Sequence, residues 1–211
     1  MMGNVINIID LGLTSYRETW QLQLDAVGCV QAGAQERVYL TEHRPVYTLG
    51  KHGHAENMLR LPAGAECIRI ERGGDITYHG PGQLVVYPII SLRSHSLGVK
   101  QYVDLLEETV IRVIARFGIK GERVDGATGV WIDVGTPRER KICAIGVKVS
   151  HAVTMHGFAL NVNTDLRGFS AINPCGFVDK GVTSIAAEVG GAVDMQVVKD
   201  YISETLMSLL N

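Results

Sequence analysis

The 211-residue chain has no long apolar run, no strong charge of either sign and no closely spaced cysteine pair. Each absence narrows the field. A bilayer-spanning helix needs roughly 18 or more consecutive apolar residues, and no run approaches that, which argues against membrane insertion. A formal net charge of −2 provides no general electrostatic case for nucleic acid or a membrane surface as partner. The four cysteines, Cys29, Cys67, Cys143 and Cys175, are scattered, with neither a CxxC nor a metal-finger spacing. They read as thiols of a reducing cytoplasm rather than as a disulfide framework. The opening stretch MMGNVINIIDLGLTSY lacks a basic region and carries Asn4 and Asp10 among its apolar residues, unlike a secretory signal. GxxxxGK[ST] and GxSxG are missing, as is GxGxxG after the first strand, so nucleotide and nucleophile-elbow motifs find no support.

What is present is an ordinary globular composition, 46% apolar and 20% charged, at a length suited to one domain spanning 1–211. Its 24 glycines are well above the usual share of roughly 7%. They cluster at 50–53, 73–82, 121–129 and 176–191, which indicates shaped loops. The densest stretch, Arg72 to Leu84, reads RGGDITYHGPGQL. Glycine admits positive φ and close backbone approach to a ligand, and proline makes Gly80-Pro81-Gly82 a defined turn. A ligand is expected against this segment.

Hydrophobic periodicity orders the elements. Residues 5–10 read as a first strand, followed by a helix capped at Thr14 and running to about Ala32, its core face using Trp20, Leu24, Val27 and Leu22. Segments 36–41 and 45–49 read as strands broken at Pro45. Runs 67–71 and 84–90 flank the glycine-rich motif as a strand–turn–strand hairpin with Ile76-Thr77-Tyr78 extended inside it. Residues 99–117 carry a stripe of Tyr102, Leu105, Leu106, Val110, Val113, Ile114 and Phe117, stopped by Gly118. Segments 129–134, 141–149 and 157–163 are further strands. In the last, Phe158, Leu160 and Val162 alternate against Ala159, Asn161 and Asn163. A helix over 196–210, with Val197, Val198, Ile202, Leu206 and Leu209 inward, closes an α+β fold of mostly antiparallel strands and three main helices.

Among the cysteines, Cys175 stands apart in the turn-forming loop Asn173-Pro174-Cys175-Gly176, where a thiol can act as a nucleophile. A free thiol is only a few per cent thiolate at neutral pH and needs a base or cation beside it. His79, His156 and Lys141 are the candidates. Lys141 is either a solvated strand end or a desolvated amine able to act as a base. Cys29, Cys67 and Cys143 are expected in the core. His52 and His54 in KHGHAEN match no metal-ligand spacing, and no metal site is assigned.

RGGDITYHGPGQLVVYPI, KICAIGVKV, HGFALNVNTDL and INPCGF occur in the order and spacing of lipoyl(octanoyl) transferases, and DLGLTSYRETWQLQ is similar to that family's start. Asp75 stands where some members carry glutamine. The resemblance implies a fold similar to the catalytic module of biotin and lipoate protein ligases. It also implies transfer of an octanoyl group from octanoyl-acyl carrier protein to a lysine of apo lipoyl domains, those of 2-oxoacid dehydrogenases and glycine cleavage H protein. Cys175 would carry the acyl thioester and Lys141 would be its acid/base partner. Arg72, Gly73, Gly74, Asp75, Ile76, Thr77, Tyr78 and His79, with Ala144-Ile145-Gly146 and Gly157-Phe158-Ala159, would hold the acyl chain. No cofactor is implied. An octanoyl tail contributes roughly 4–5 kcal/mol of gross binding at about 0.8 kcal/mol per buried CH₂. Arg69, Arg72, Arg93, Arg138, Arg140, Lys141 and Lys148 are candidates for a basic rim facing acidic partners. Two rivals are an ATP-dependent lipoate–protein ligase and a non-catalytic acyl- or lipoyl-domain-binding protein of the same fold.

Overall fold

The computed structural model describes residues 6–173 and 181–210. Two sheets organise it. The larger has the order β1 (Asn7–Thr14), β2 (Arg37–His43), β6 (Gln83–Ile89), β9 (Val153–Asn161), β8 (Arg140–Ser150) and β10 (Gly181–Val182), with β7 (Val130–Ile132) also on β8. The smaller has the order β4 (Glu66–Arg69), β3 (Val46–Leu49), β5 (Ile76–His79). Three of the pairings, β1–β2, β10–β8 and β3–β4, are parallel and the rest antiparallel, so the α+β expectation holds.

Period-two alternation divides the large sheet into two buried faces. Val38, Leu40, Leu84, Val86, Phe158 and Leu160 point to one face, where α2 (Val99–Ala115) and α4 (Met195–Leu210) pack. Tyr39, Val85, Tyr87 and Ala159 point to the other, against Ala26 and Val30 of α1 (Tyr16–Gln31). A short α3 (Ile185–Val189) follows β10. The α2 stripe is buried as expected, and Gly118 leaves the helix at φ 75°.

Several local expectations need correcting. The cap of α1 is Ser15, which forms a capping box with Glu18, not Thr14. Its inward residues are Tyr16, Thr19, Gln23, Ala26 and Val30, whereas Leu22 and Leu24 are exposed. The face is displaced because the buried Gln23 side chain accepts a hydrogen bond from His156 N at 2.9 Å, which apolar periodicity cannot reveal. The strands flanking the glycine-rich motif form no hairpin: β4 lies in the small sheet and β6 in the large one. Pro45 falls where the chain leaves one sheet for the other. β9 begins four residues before the expected strand, because His151 and Ala152, both at positive φ, make a two-residue turn joining it to β8. That turn has no glycine to announce it. Cys143 is buried, but Cys29 and Cys67 are exposed, not core.

Candidate functional site

A cavity of about 460 Å³ opens beside the large sheet, between β6, β8 and β9 and the strap formed by residues 72–77. The strap is fastened to β8 by a backbone bond from Gly73 N to Val147 O at 3.1 Å. Close approach there requires glycine at 146, since a Cβ would stand 2.9 Å from Gly73 O and 3.1 Å from Arg72 Cδ. In β9, a Cβ on Gly157 would meet Val86 O at 2.1 Å.

Thirteen of the fourteen residues expected to hold an acyl chain line this space: Arg72 to Thr77, His79, Ala144 to Gly146 and Gly157 to Ala159. Tyr78 does not. It points to the opposite side of β5, where it packs on Tyr47 and Phe169 at ring separations of 5.2 and 5.5 Å. Asp75 borders the cavity, but its carboxylate accepts from Ile76 N, His54 N and Asn57 Nδ2, so it clasps the 54–57 turn. Lys141 lies at the β10 end of the cavity wall, its Nζ donating to Thr128 O at 3.2 Å and sitting 4.4 Å from the Trp131 ring centroid. Cys175 lies outside the described residues.

Arg72 is buried. Its Nη2 donates to Thr48 O at 2.8 Å and Thr48 Oγ1 at 3.0 Å, and its Nη1 to Gly73 O at 3.0 Å. Having accepted from Arg72, the Thr48 hydroxyl has its proton available for His79 Nε2, 3.3 Å away. His79 then donates through Nδ1 to Gln83 Oε1 at 2.7 Å. Gln83 Nε2 passes the chain to Asn161 Oδ1 at 2.9 Å, and Asn161 Nδ2 bonds Thr183 O. This is the pattern of a neutral imidazole with a defined tautomer. Burial, with His43, Arg72 and His156 nearby, lowers the His79 pKa to about 3. His79 is therefore a fixed polar wall, not a base working near neutrality.

Further buried polar residues complete the site; of these, only His156 stands out in the sequence, as a candidate partner of Cys175. Gln83, Tyr87, Asn161 and His156 all line the cavity. Burial lowers the His43 pKa to about 4, with its Nε2 2.8 Å from Tyr87 Oη. Asn161 was legible only as the polar side of an alternating strand. Gln83 reads as the end of the glycine-rich motif, and nothing in its spacing shows that it connects two strands.

The expected basic rim is reduced. Arg140 is taken up by Glu188 and Asp133, with bonds of 2.6 to 2.7 Å, and Arg72 is internal. Among the described residues, no three His, Cys, Asp or Glu side chains are placed to hold a metal ion, and no helix is long and apolar enough to cross a membrane.

Comparison with known proteins agrees with this architecture. The octanoyltransferase of Bacteroides thetaiotaomicron is 54% identical over 215 residues, covering 97% of this chain and 95% of its own. That of Flavobacterium johnsoniae is 46% identical, covering 99% and 97%. Among solved structures, the bipartite lipoate protein ligase of Thermoplasma acidophilum superposes with a TM-score of 0.75 at 19% identity, over 100% of this chain and 84% of that one. Biotin protein ligase of Aquifex aeolicus, in complex with biotin and ATP, gives 0.58 at 15% identity, over 97% and 70%. These two likenesses concern the fold alone. Residues 15–207 match the lipoyl protein ligase A/B catalytic domain, and the chain belongs to that family.

Proposed function

We propose that this chain is an acyltransferase that moves an octanoyl group onto lipoyl domains in protein lipoylation. The observation that carries this reading is the 54% identity, over nearly all of both chains, to an octanoyltransferase. The cavity supports it: its volume lies within the range of small-molecule sites, and its walls are mostly apolar with a few placed polar groups. The donor is an octanoyl thioester of acyl carrier protein, and the acceptors are lysines of apo lipoyl domains, glycine cleavage H protein among them. The reaction belongs to the cytoplasm, and residues 1–211 act as one catalytic domain.

The chemistry divides into two acyl transfers. Lys141 as the free amine takes the Cys175 thiol proton, and the thiolate attacks the donor carbonyl. The tetrahedral oxyanion collapses, breaking the bond to the carrier's sulfur, and the Lys141 ammonium returns the proton to that leaving thiolate. An acyl-Cys175 thioester remains. The acceptor amine then attacks the same carbonyl, giving its proton to Lys141, and the Cys175 thiolate leaves as the amide forms. Each oxyanion needs preorganised donors. No ATP is consumed, because the donor is already a thioester.

The test is an assay with octanoyl-acyl carrier protein, apo lipoyl domain and no nucleotide. Transfer of the octanoyl group is expected. Strict dependence on ATP and free acid would replace this reading with a lipoate–protein ligase, and binding without turnover would replace it with an acyl-binding protein.

A further inference from the structure

Glu107 is a buried carboxylate on α2, its side chain 8% exposed, in a helix whose other inward residues include Leu106 and Val110. A buried carboxylate is costly unless its oxygens are bonded. Oε2 accepts from Arg123 Nε at 3.1 Å. Oε1 accepts from the buried backbone N–H of Gly129 at 3.0 Å. That N–H belongs to the peptide group whose carbonyl is Thr128 O, the acceptor of Lys141 Nζ at 3.2 Å. The N–H and C=O of a planar trans peptide point in opposite directions. One rigid unit therefore has Glu107 at one end and Lys141 at the other.

Two further features press this unit onto β8. Gly129 has φ 128°, and a Cβ there would stand 2.5 Å from Cys143 O and 3.4 Å from Lys141 Cε. Glycine is what allows the loop to lie so close. The pairing of β7 with β8 also shifts register between Val130 and Trp131, which sets Lys141 opposite Trp131. Such an irregularity re-aims a side chain. The Lys141 nitrogen then lies 4.4 Å from the Trp131 ring centroid, and Trp131 Nε1 donates back to the same loop at Ala127 O. Ala127, Thr128, Trp131 and Lys141 all line the cavity.

We propose that Glu107 is a positioning residue for the acyl transfer: by accepting the Gly129 N–H, it fixes the Thr128 carbonyl toward Lys141 and so directs the lysine nitrogen into the cavity. An amine that donates one N–H to Thr128 O turns its lone pair away from that oxygen. Without the carboxylate, the peptide is free to rotate and Lys141 loses its fixed acceptor. This rests on the proposed acyl transfer, in which Lys141 moves the proton.

Acylation of Cys175 by octanoyl-acyl carrier protein, followed by intact mass in a single turnover, tests it. Glu107→Leu accepts no hydrogen bond and is expected to slow acylation about tenfold to a hundredfold, part of the loss typical of a removed general base. Octanoate affinity by calorimetry should not change. Glu107→Gln keeps an accepting oxygen and is expected to stay within about threefold of the native rate. Added to Lys141→Ala, Glu107→Leu is expected to cause no further loss, because residues acting as a unit are not additive. Circular dichroism establishes folding, and Glu107→Met replaces the leucine variant if that does not fold. Native acylation by folded Glu107→Leu overturns the proposal, as does an undiminished extra loss in the double variant. A second readout needs no turnover. The chain has two tryptophans, so Trp20→Phe leaves Trp131 as the reporter. In that background, Glu107→Leu and Lys141→Met should shift the Trp131 emission alike, as the nitrogen leaves the ring. Emission unmoved by Glu107→Leu overturns the positioning, whatever the activity. A shared shift in a chain that transfers no octanoyl group would count against the proposed activity and leave the positioning standing.

Discussion

The Lys141 side-chain nitrogen stands over the indole of Trp131, 4.4 Å from the ring centroid, while donating to Thr128 O. A cation over an aromatic face is held in place by the ring quadrupole. Trp131 is itself fixed, buried at 2% exposure with its Nε1 donating to Ala127 O. This is how a lysine at a strand end acquires a defined position. Lys141→Ala is predicted to slow octanoyl transfer roughly 100-fold to 10,000-fold, the span typical of a lost general base, with the thermal midpoint little changed. Lys141→Arg keeps the charge and the stacking but does not release a proton near neutrality. It should be nearly as slow, and recovery by arginine would reduce Lys141 to an electrostatic role.

Intact-mass measurement after mixing with octanoyl-acyl carrier protein should show one octanoyl adduct, lost in Cys175→Ser under conditions that preserve a thioester. Cys143 is a poor alternative, since it is fully buried and burial pushes its thiol well up. Cys29 and Cys67 are exposed, so peptide mapping is needed as well. An adduct mapping to Cys29, Cys67 or Cys143 would overturn the assignment to Cys175.

Acid should weaken the fold before carboxylates titrate. Burial holds His43 at about 4 and His79 and His156 at about 3, against roughly 6.5 for an unfolded histidine. The unfolded chain therefore takes up protons that the folded chain refuses. The stability associated with the three rings is complete above about pH 6.5 and declines as pH falls toward 4. Each can contribute up to about 1.4 kcal/mol per pH unit in that window. Urea unfolding at pH 7.5, 6 and 5 should show the midpoint dropping, and a constant midpoint would refute three neutral histidines.

Glycine substitutions should separate packing from propensity. Gly146→Ala presses a methyl onto the 72–75 strap and is predicted to cost about 1–3 kcal/mol while weakening acyl binding. Gly28→Ala, in α1 with nothing within 4 Å of the added atom, should instead stabilise by up to about 1 kcal/mol without affecting transfer. Chemical denaturation of both variants decides. A neutral Gly146→Ala would mean that the strap moves freely.

Two classes of feature differ in how legible they were. The α2 stripe could be read directly, because residues three and four apart must share one helical face. Residues 72–79 of the glycine-rich motif and the 144–146 and 157–159 segments could be named through family resemblance, and all but Tyr78 line the cavity. Tyr78 shows the limit of a contiguous motif, since strand alternation sets it with Ile76 in the cluster around Tyr47 and on the opposite side of β5 from His79. Gln23 shows the same limit for helices, as a polar residue turned inward by a partner more than a hundred residues away.

The sequence alone determined the α2 stripe, most of the strands and the family, and named the candidate pair Cys175 and Lys141, because periodicity and motif order are carried by neighbouring residues. Only the tertiary structure decided that the chain changes sheets at Pro45, that Arg72 is internal and that His79 bonds through Gln83 to Asn161. It also decided that Glu107 meets the Gly129 N–H behind the Thr128 carbonyl that receives Lys141. The physical reason is common to all of these. A buried polar group has meaning only through its partner, and the fold sets which distant segments meet.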